Sequence, residues 1–155
     1  MLDAYIASLG NGFLDDDPGA ADKLLEAANI ERLQEQYRAL DRGDWDAVRE
    51  FLAEDIEYSW SGPAALPFVG SATGRDEVMA RIAYNFSLVQ DQSPEVLAVT
   101  AQGNVVVVRL RETGTFRATG RPYDVEVMQV FTFDDGRIRS FHAHDNGALL
   151  DAIAE

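Results

Sequence analysis

The sequence predicts an α+β domain, a cone-shaped, curved antiparallel sheet covered by three N-terminal helices. Two observations carry that expectation. Apolar residues recur at helical spacing as far as Val89, with one short alternating stretch between, and at strand spacing from there to His144. The connections in the second half are too short for a crossover helix, so those strands run antiparallel. With 155 residues, 46% of them hydrophobic, the chain suits a single domain that needs neither metal nor disulfide to stand.

Residues 1–29 read as an N-terminal helical extension. Leu2, Tyr5, Ile6 and Leu9 keep helical spacing until Gly10-Asn11-Gly12 breaks it. Asp15-Asp16-Asp17-Pro18-Gly19 is a turn, and Ala20 to Asn29 a further helix with Pro18 suited to its first turn. This segment is an extension, a dimer arm or a lid. Residues 30–155 read as one domain. Ile30, Leu33, Tyr37 and Leu40 are the apolar face of an amphipathic helix that Gly43 stops. Asp44 caps the next helix, Trp45 to Ala53, which is expected to bury Trp45, Val48, Phe51 and Leu52. In the strand Asp55 to Trp60, Ile56, Tyr58 and Trp60 point one way. Ser61 to Ala72, rich in Gly and Pro, is a loop. A third helix, Arg75 to Val89, turns Val78, Ile82, Phe86 and Val89 inward. Four strands follow: Glu95 to Ala101, Val105 to Phe116, Tyr123 to Phe133 and Arg137 to His144. A short helix from Ala148 to Ile153 ends the chain.

Composition narrows the function. The net charge is −14, with 27 acidic against 13 basic residues, and the arginines are scattered. Such a surface repels a polyanion, so no nucleic-acid partner is expected. No apolar run approaches the roughly 20 residues of a membrane span, and the first residues lack a basic stretch followed by an apolar core. A soluble, cytoplasmic protein is the expectation. The absence of cysteine excludes thiol nucleophiles and Cys-ligated zinc.

Three stretches, taken in order, resemble one family. They are Tyr37 to Trp45 with Phe51 to Asp55, Pro67 to Gly70 with Gly74 to Val78, and Phe131 to Ile138 running on to Asp145. Together they resemble the nuclear transport factor 2-like superfamily, and within it the ketosteroid-isomerase-related and SnoaL-like polyketide cyclase group. The resemblance covers residues 30–153 and implies a cystatin-like α+β barrel. It also implies a homodimer through the outer sheet face, where Glu126, Met128, Val130 and Thr132 lie.

The resemblance assigns positions for the isomerase machinery, and this chain departs from it. The base falls on Trp60, whose indole cannot take a proton from carbon. The oxyanion-hole Asp falls on Gln129, which still donates one hydrogen bond. The oxyanion-hole Tyr falls on Gln36, beside Tyr37. True steroid isomerisation is therefore not expected. SnoaL-like cyclases keep an acid/base Asp at the end of the last strand, here Asp145. Alternation places Phe141, Ala143 and Asp145 on one face, the face that should line the cone. Asp145 either reaches into that cavity or caps the terminal helix. Glu112 shares the inner face of its strand with Val106, Val108 and Leu110, unless a bulge at Thr113-Gly114 returns it to water. His142 and His144 face away from Asp145 and have no third ligand, so no metal is expected. A register shift would instead turn His144 into the cavity. Tyr37, Tyr58, Trp60 and Phe86 complete the candidate lining. The expectation is a small, apolar and flat ligand, with polycyclic molecules among the candidates. Its chemistry would be cofactor-free acid/base work of cyclase, isomerase or lyase type, with Asp145 moving the proton and Gln129 polarising a carbonyl. The alternative is a non-catalytic ligand-binding or dimerisation module on the same scaffold.

Overall fold

The structure is a computed structural model that describes residues 19–145 and 147–154. Helix α1 runs Ala20–Asp41 and α2 Trp45–Glu50. Strand β1 is Leu52–Ser61 and β2 Gly70–Thr73. Helix α3 is Arg75–Ser87. Strands β3 (Val89–Gln102), β4 (Val105–Phe116), β5 (Arg121–Asp134) and β6 (Arg137–Asp145) follow, and helix α4 is Leu150–Ile153. The strands form one open sheet in the order β2-β1-β6-β5-β4-β3. All neighbours are antiparallel except β1 and β6, which are parallel. That pairing brings the first long strand beside the last, and so brings Trp60 near Asp145.

Local chemistry explains most elements. Asp44 Oδ1 accepts the Ala47 N–H at 3.1 Å, the expected cap of α2. Asp135 (φ 48°) and Gly136 (φ 74°) form the two-residue link between β5 and β6. Both are left-handed, which matches the twist of a tight hairpin. Helix α1 passes Asn29 and Ile30 without a break. It buries Ile30 and Leu33 against the sheet. Arg32 ties it to the β5–β6 turn, donating from Nε to the Gly136 carbonyl at 3.0 Å. The helical spacing from Leu2 to Leu9, the break at Gly10-Asn11-Gly12 and the turn at Asp15 to Pro18 lie outside the described residues.

Four expectations need correction. Helix α2 stops at Glu50, and Leu52 and Ala53 are in β1. Leu52 pairs with Ile138, and the Ile138 N–H donates to the Phe51 carbonyl at 2.8 Å; sheet hydrogen bonds override helical spacing there. Trp45 is exposed, at 38%; α2 buries Val48 instead, in a small cluster with Ala39 of α1 and Phe51. Helix α3 ends at Ser87, and Val89 begins β3. The Gly/Pro-rich loop hides a strand, since Gly70–Thr73 pairs with Glu57–Trp60.

The inner face of the sheet is the core. Val106, Val108 and Leu110 of β4 and Val125, Val127 and Phe131 of β5 are all nearly or fully buried. Gly114 belongs to this face for a steric reason: a Cβ there would lie 2.6 Å from the Tyr123 hydroxyl and 3.0 Å from the Gln90 carbonyl. Gly114→Ala is expected to destabilise by about 1–3 kcal/mol, the usual range for overpacking, measured as a lowered urea midpoint at unchanged slope.

Candidate functional site

Strand register sets the inner face. Tyr58 pairs with Phe141 and Trp60 with Ala143 across β1 and β6. Gln129 pairs with Ala143 and Val127 with Asp145 across β5 and β6. Tyr58, Trp60, Gln129 and Asp145 therefore share one face, as alternation predicts. Two aromatic groups fill much of it. Tyr58 stacks on Phe141 at 5.2 Å, Phe141 meets Phe131 at 5.0 Å, and Phe131 meets Tyr37 edge-on at 6.3 Å. Nearer the strand ends, Trp60 leans on Phe68 at 5.5 Å, and Phe68 meets Phe116 at 6.5 Å.

Polar side chains punctuate this apolar surface. Tyr37 donates its hydroxyl to Gln129 Oε1 at 2.7 Å. That bond uses the acceptor end of the amide, so the NH2 end is what Gln129 offers a carbonyl. Burial pushes the Tyr37 phenol far up, so it acts as a neutral donor. Asn85 Nδ2 donates to the Tyr58 hydroxyl at 2.7 Å. Burial pushes that phenol up too. Arg81 spans the loop before β2, with Nη2 within 2.7–3.2 Å of the Pro67, Phe68 and Val69 carbonyls. This clamp holds Phe68 against Trp60.

Asp145 divides its two oxygens. Oδ1 accepts the Gly147 N–H at 2.5 Å, a local turn bond. Helix α4 has Leu149 at its N-cap with no side-chain cap, so Asp145 orders the turn without capping the helix. Oδ2 is cut off from water and has no partner among the described residues. Burial raises the Asp145 carboxyl above the ordinary range, and the Gly147 N–H only partly opposes this. The indole Nε1 of Trp60 is likewise buried without a partner among the described residues. Buried polar atoms are normally paired, so two orphans on one face mark this end of the sheet.

Glu112 is on the inner face beside Leu110, and no bulge of β4 against β5 turns it outward. The irregularity is in β3, where Asp91 and Gln92 together oppose Gly114. Glu112 Oε1 accepts from the Tyr123 hydroxyl at 2.7 Å and from Gln92 Nε2 at 2.8 Å. Phe86 does not join the cluster; it packs edge-on against Trp45 at 5.8 Å. His144 lies opposite Met128 on the outer face and is exposed. His142, also outward, has Nδ1 2.5 Å from Ser59 Oγ. Sequence reasoning missed Asn85, Gln92, Phe68 and Tyr123. Alternation back from Gln129 marks Tyr123 as inward. Nothing local marks the other three, whose partners are 8–48 residues away in sequence.

Two clefts open elsewhere. One of about 350 Å³ lies at the start of α3, among Arg49, Glu54, Thr73 and Arg75. Another of about 290 Å³ lies between the β4–β5 turn and the chain end. Neither includes Trp60, Gln129 or Asp145. Among the described residues no helix is long and apolar enough to cross a membrane.

An open, curved sheet with helices on its inner face and a carboxylate at the end of its last strand defines a class of small α+β domain. A family model described as the SnoaL-like domain matches residues 33–141, and the chain belongs to that family. Solved structures agree. An NTF2-like protein of unknown function from Burkholderia pseudomallei K96243 is 25% identical, over 82% of this chain and 98% of that one, with a TM-score of 0.73. A proposed SnoaL-like polyketide cyclase from Jannaschia sp. CCS1 is 24% identical, over 90% and 96%, at 0.70. TerC, co-crystallised with polyporic acid, is 17% identical, over 80% and 95%, also at 0.70. None of the curated proteins compared with the chain matches it.

Proposed function

We propose that this SnoaL-like protein binds a small, largely apolar molecule on the inner face of its sheet and performs cofactor-free acid/base chemistry on it. The observation that carries the reading is the buried Oδ2 of Asp145 at the end of β6, which has no partner among the described residues. A carboxyl held in apolar surroundings keeps its proton to higher pH, which suits proton transfer near neutrality. In this reading Asp145 moves the proton and the Gln129 amide steadies a carbonyl oxygen. Tyr37 orients Gln129, while Tyr58 and Trp60 shape the apolar walls. Binding moves aromatic side chains that now pack together, so the pocket opens with its ligand. The test is a screen of flat hydroxy-carbonyl compounds for turnover, repeated with Asp145→Asn. Undiminished turnover of an identified substrate by that variant removes the assignment.

A second reading is a ligand-binding or dimerisation module without chemistry. Its support is the inner face closed by stacked aromatics, together with clefts that lie elsewhere. Both readings include a homodimer through the outer face, where Met128 is 40% exposed beside Val130 and His144. Met128→Glu is expected to convert dimer to monomer in light scattering; an unmodified protein that is monomeric at all concentrations excludes the dimer.

A further inference from the structure

We propose that Glu112 is a second proton-transfer carboxylate of the same inner face, set across the Leu110–Val127 pair from Asp145 and held in position by Tyr123 and Gln92. This rests on the reading of the inner face as a ligand site, but its observations are separate. Leu110 pairs with Val127, and Val127 pairs with Asp145. Glu112 is the next inward residue of β4 beyond Leu110. The two carboxylate residues thus stand two strands and one inward step apart, roughly 12 Å between Cα atoms. Leu110, Val125 and Val127, all buried, form the apolar floor between them.

Three departures from ordinary strand sequence converge on Glu112. Asp91 adopts a left-handed backbone at φ 55°, a conformation that non-glycine residues seldom take. It does so in the bulge that turns Gln92 toward Glu112. Gly114 leaves the space that the Tyr123 hydroxyl occupies. Tyr123 and Gln92 then donate to the same oxygen, Oε1. The carboxylate is fixed in orientation, and Oε2 is left to accept a proton. Strained backbone kept at one spot is a mark of functional sites.

The paired carboxylates define a substrate class, β-hydroxy carbonyl compounds. Glu112 Oε2 takes the proton from the carbon beside the carbonyl. The electrons of that C–H bond form a carbon–carbon double bond as the neighbouring C–O bond breaks. Asp145 gives its proton to the departing oxygen, and water leaves. Glu112 is then protonated and Asp145 ionised, and solvent exchange restores both. Nothing is oxidised or reduced.

The test uses 5-nitrobenzisoxazole, a flat apolar probe whose ring opens when a base removes its one carbon-bound proton next to nitrogen. Binding is read from quenching of Trp60 in a Trp45→Phe background, and turnover from the released nitrophenolate. Glu112→Gln keeps shape and acceptor, and is expected to lower kcat roughly a hundredfold with quenching unchanged. Tyr123→Phe is expected to lower kcat less, with quenching of Trp60 by the probe unchanged, since Tyr123 positions the carboxylate and does not itself touch the ligand. Full kcat in Glu112→Gln overturns the assignment, and if the probe still quenches Trp60, the ligand-site reading survives it. A probe that neither quenches nor turns over with the unmodified residues at 58–145 overturns both.

Discussion

Asp145→Asn is expected to make the protein slightly more stable at neutral pH while removing its turnover. Burial raises the Asp145 carboxyl, so the folded chain binds a proton that the unfolded chain has already released. The stability from this group is full below the ordinary carboxylate pKa and is lost as pH rises through the raised one. At pH 7 the folded chain either carries a charge that its surroundings disfavour or keeps a proton that the unfolded chain has released, and both cost stability. Asn keeps an oxygen for the Gly147 N–H and removes that charge. The melting temperature of the variant should exceed that of the unmodified protein at pH 7, and the gap should shrink or reverse near pH 3. Turnover should fall by about 10²–10⁴, the usual contribution of a general acid or base. A variant less stable at pH 7 than the unmodified protein contradicts the buried-charge account; stability gained together with lost activity is the trade expected of a functional group.

Leu33→Ala is expected to produce the largest loss of stability. Leu33 is 0% exposed and packs in the main core cluster with Ile30, Ile138 and Val106. Truncation removes buried methyl groups and leaves a cavity that a two-point anchorage cannot close. Helix α1 is held at Gly136 by Arg32 and at the Gly103 N–H by Glu26. The cost is about 2–5 kcal/mol, against a total of about 5–15 kcal/mol for a domain. For a chain of this size that lowers the melting temperature by about 10 °C. Glu31→Ala, on the exposed side of the same helix, should stay within about 0.5 kcal/mol. Equal losses from the two would mean that α1 is not docked through Leu33.

Much of the site was legible because strand alternation is a local rule. One inward residue fixes the direction of its whole strand. From that rule Tyr58, Trp60, Gln129 and Asp145 fall on one face, as the register has it. The rule also turns His142 and His144 outward. It fails where a partner strand intervenes. Glu112 was open to a bulge at Gly114, but the bulge is in β3, and it delivers Gln92 to the carboxylate rather than releasing it. Phe86 kept helical phase with Val78 and Ile82, yet α3 offers it to exposed Trp45. Helical phase gives a direction and not the neighbour waiting there.

What the sequence by itself determined is the order of the helices and long strands, the cap at Asp44 and the inward direction of Tyr58, Trp60, Gln129 and Asp145. These follow from backbone and side-chain preferences within a few residues. Only the tertiary structure decided the rest. It placed β1 parallel to β6, gave Leu52 to a strand, recruited Gly70–Thr73 as an edge, and left Trp60 Nε1 and Asp145 Oδ2 without partners among the described residues. Each of these depends on which distant backbone group arrives to accept or donate a hydrogen bond. Chain spacing carries no record of that.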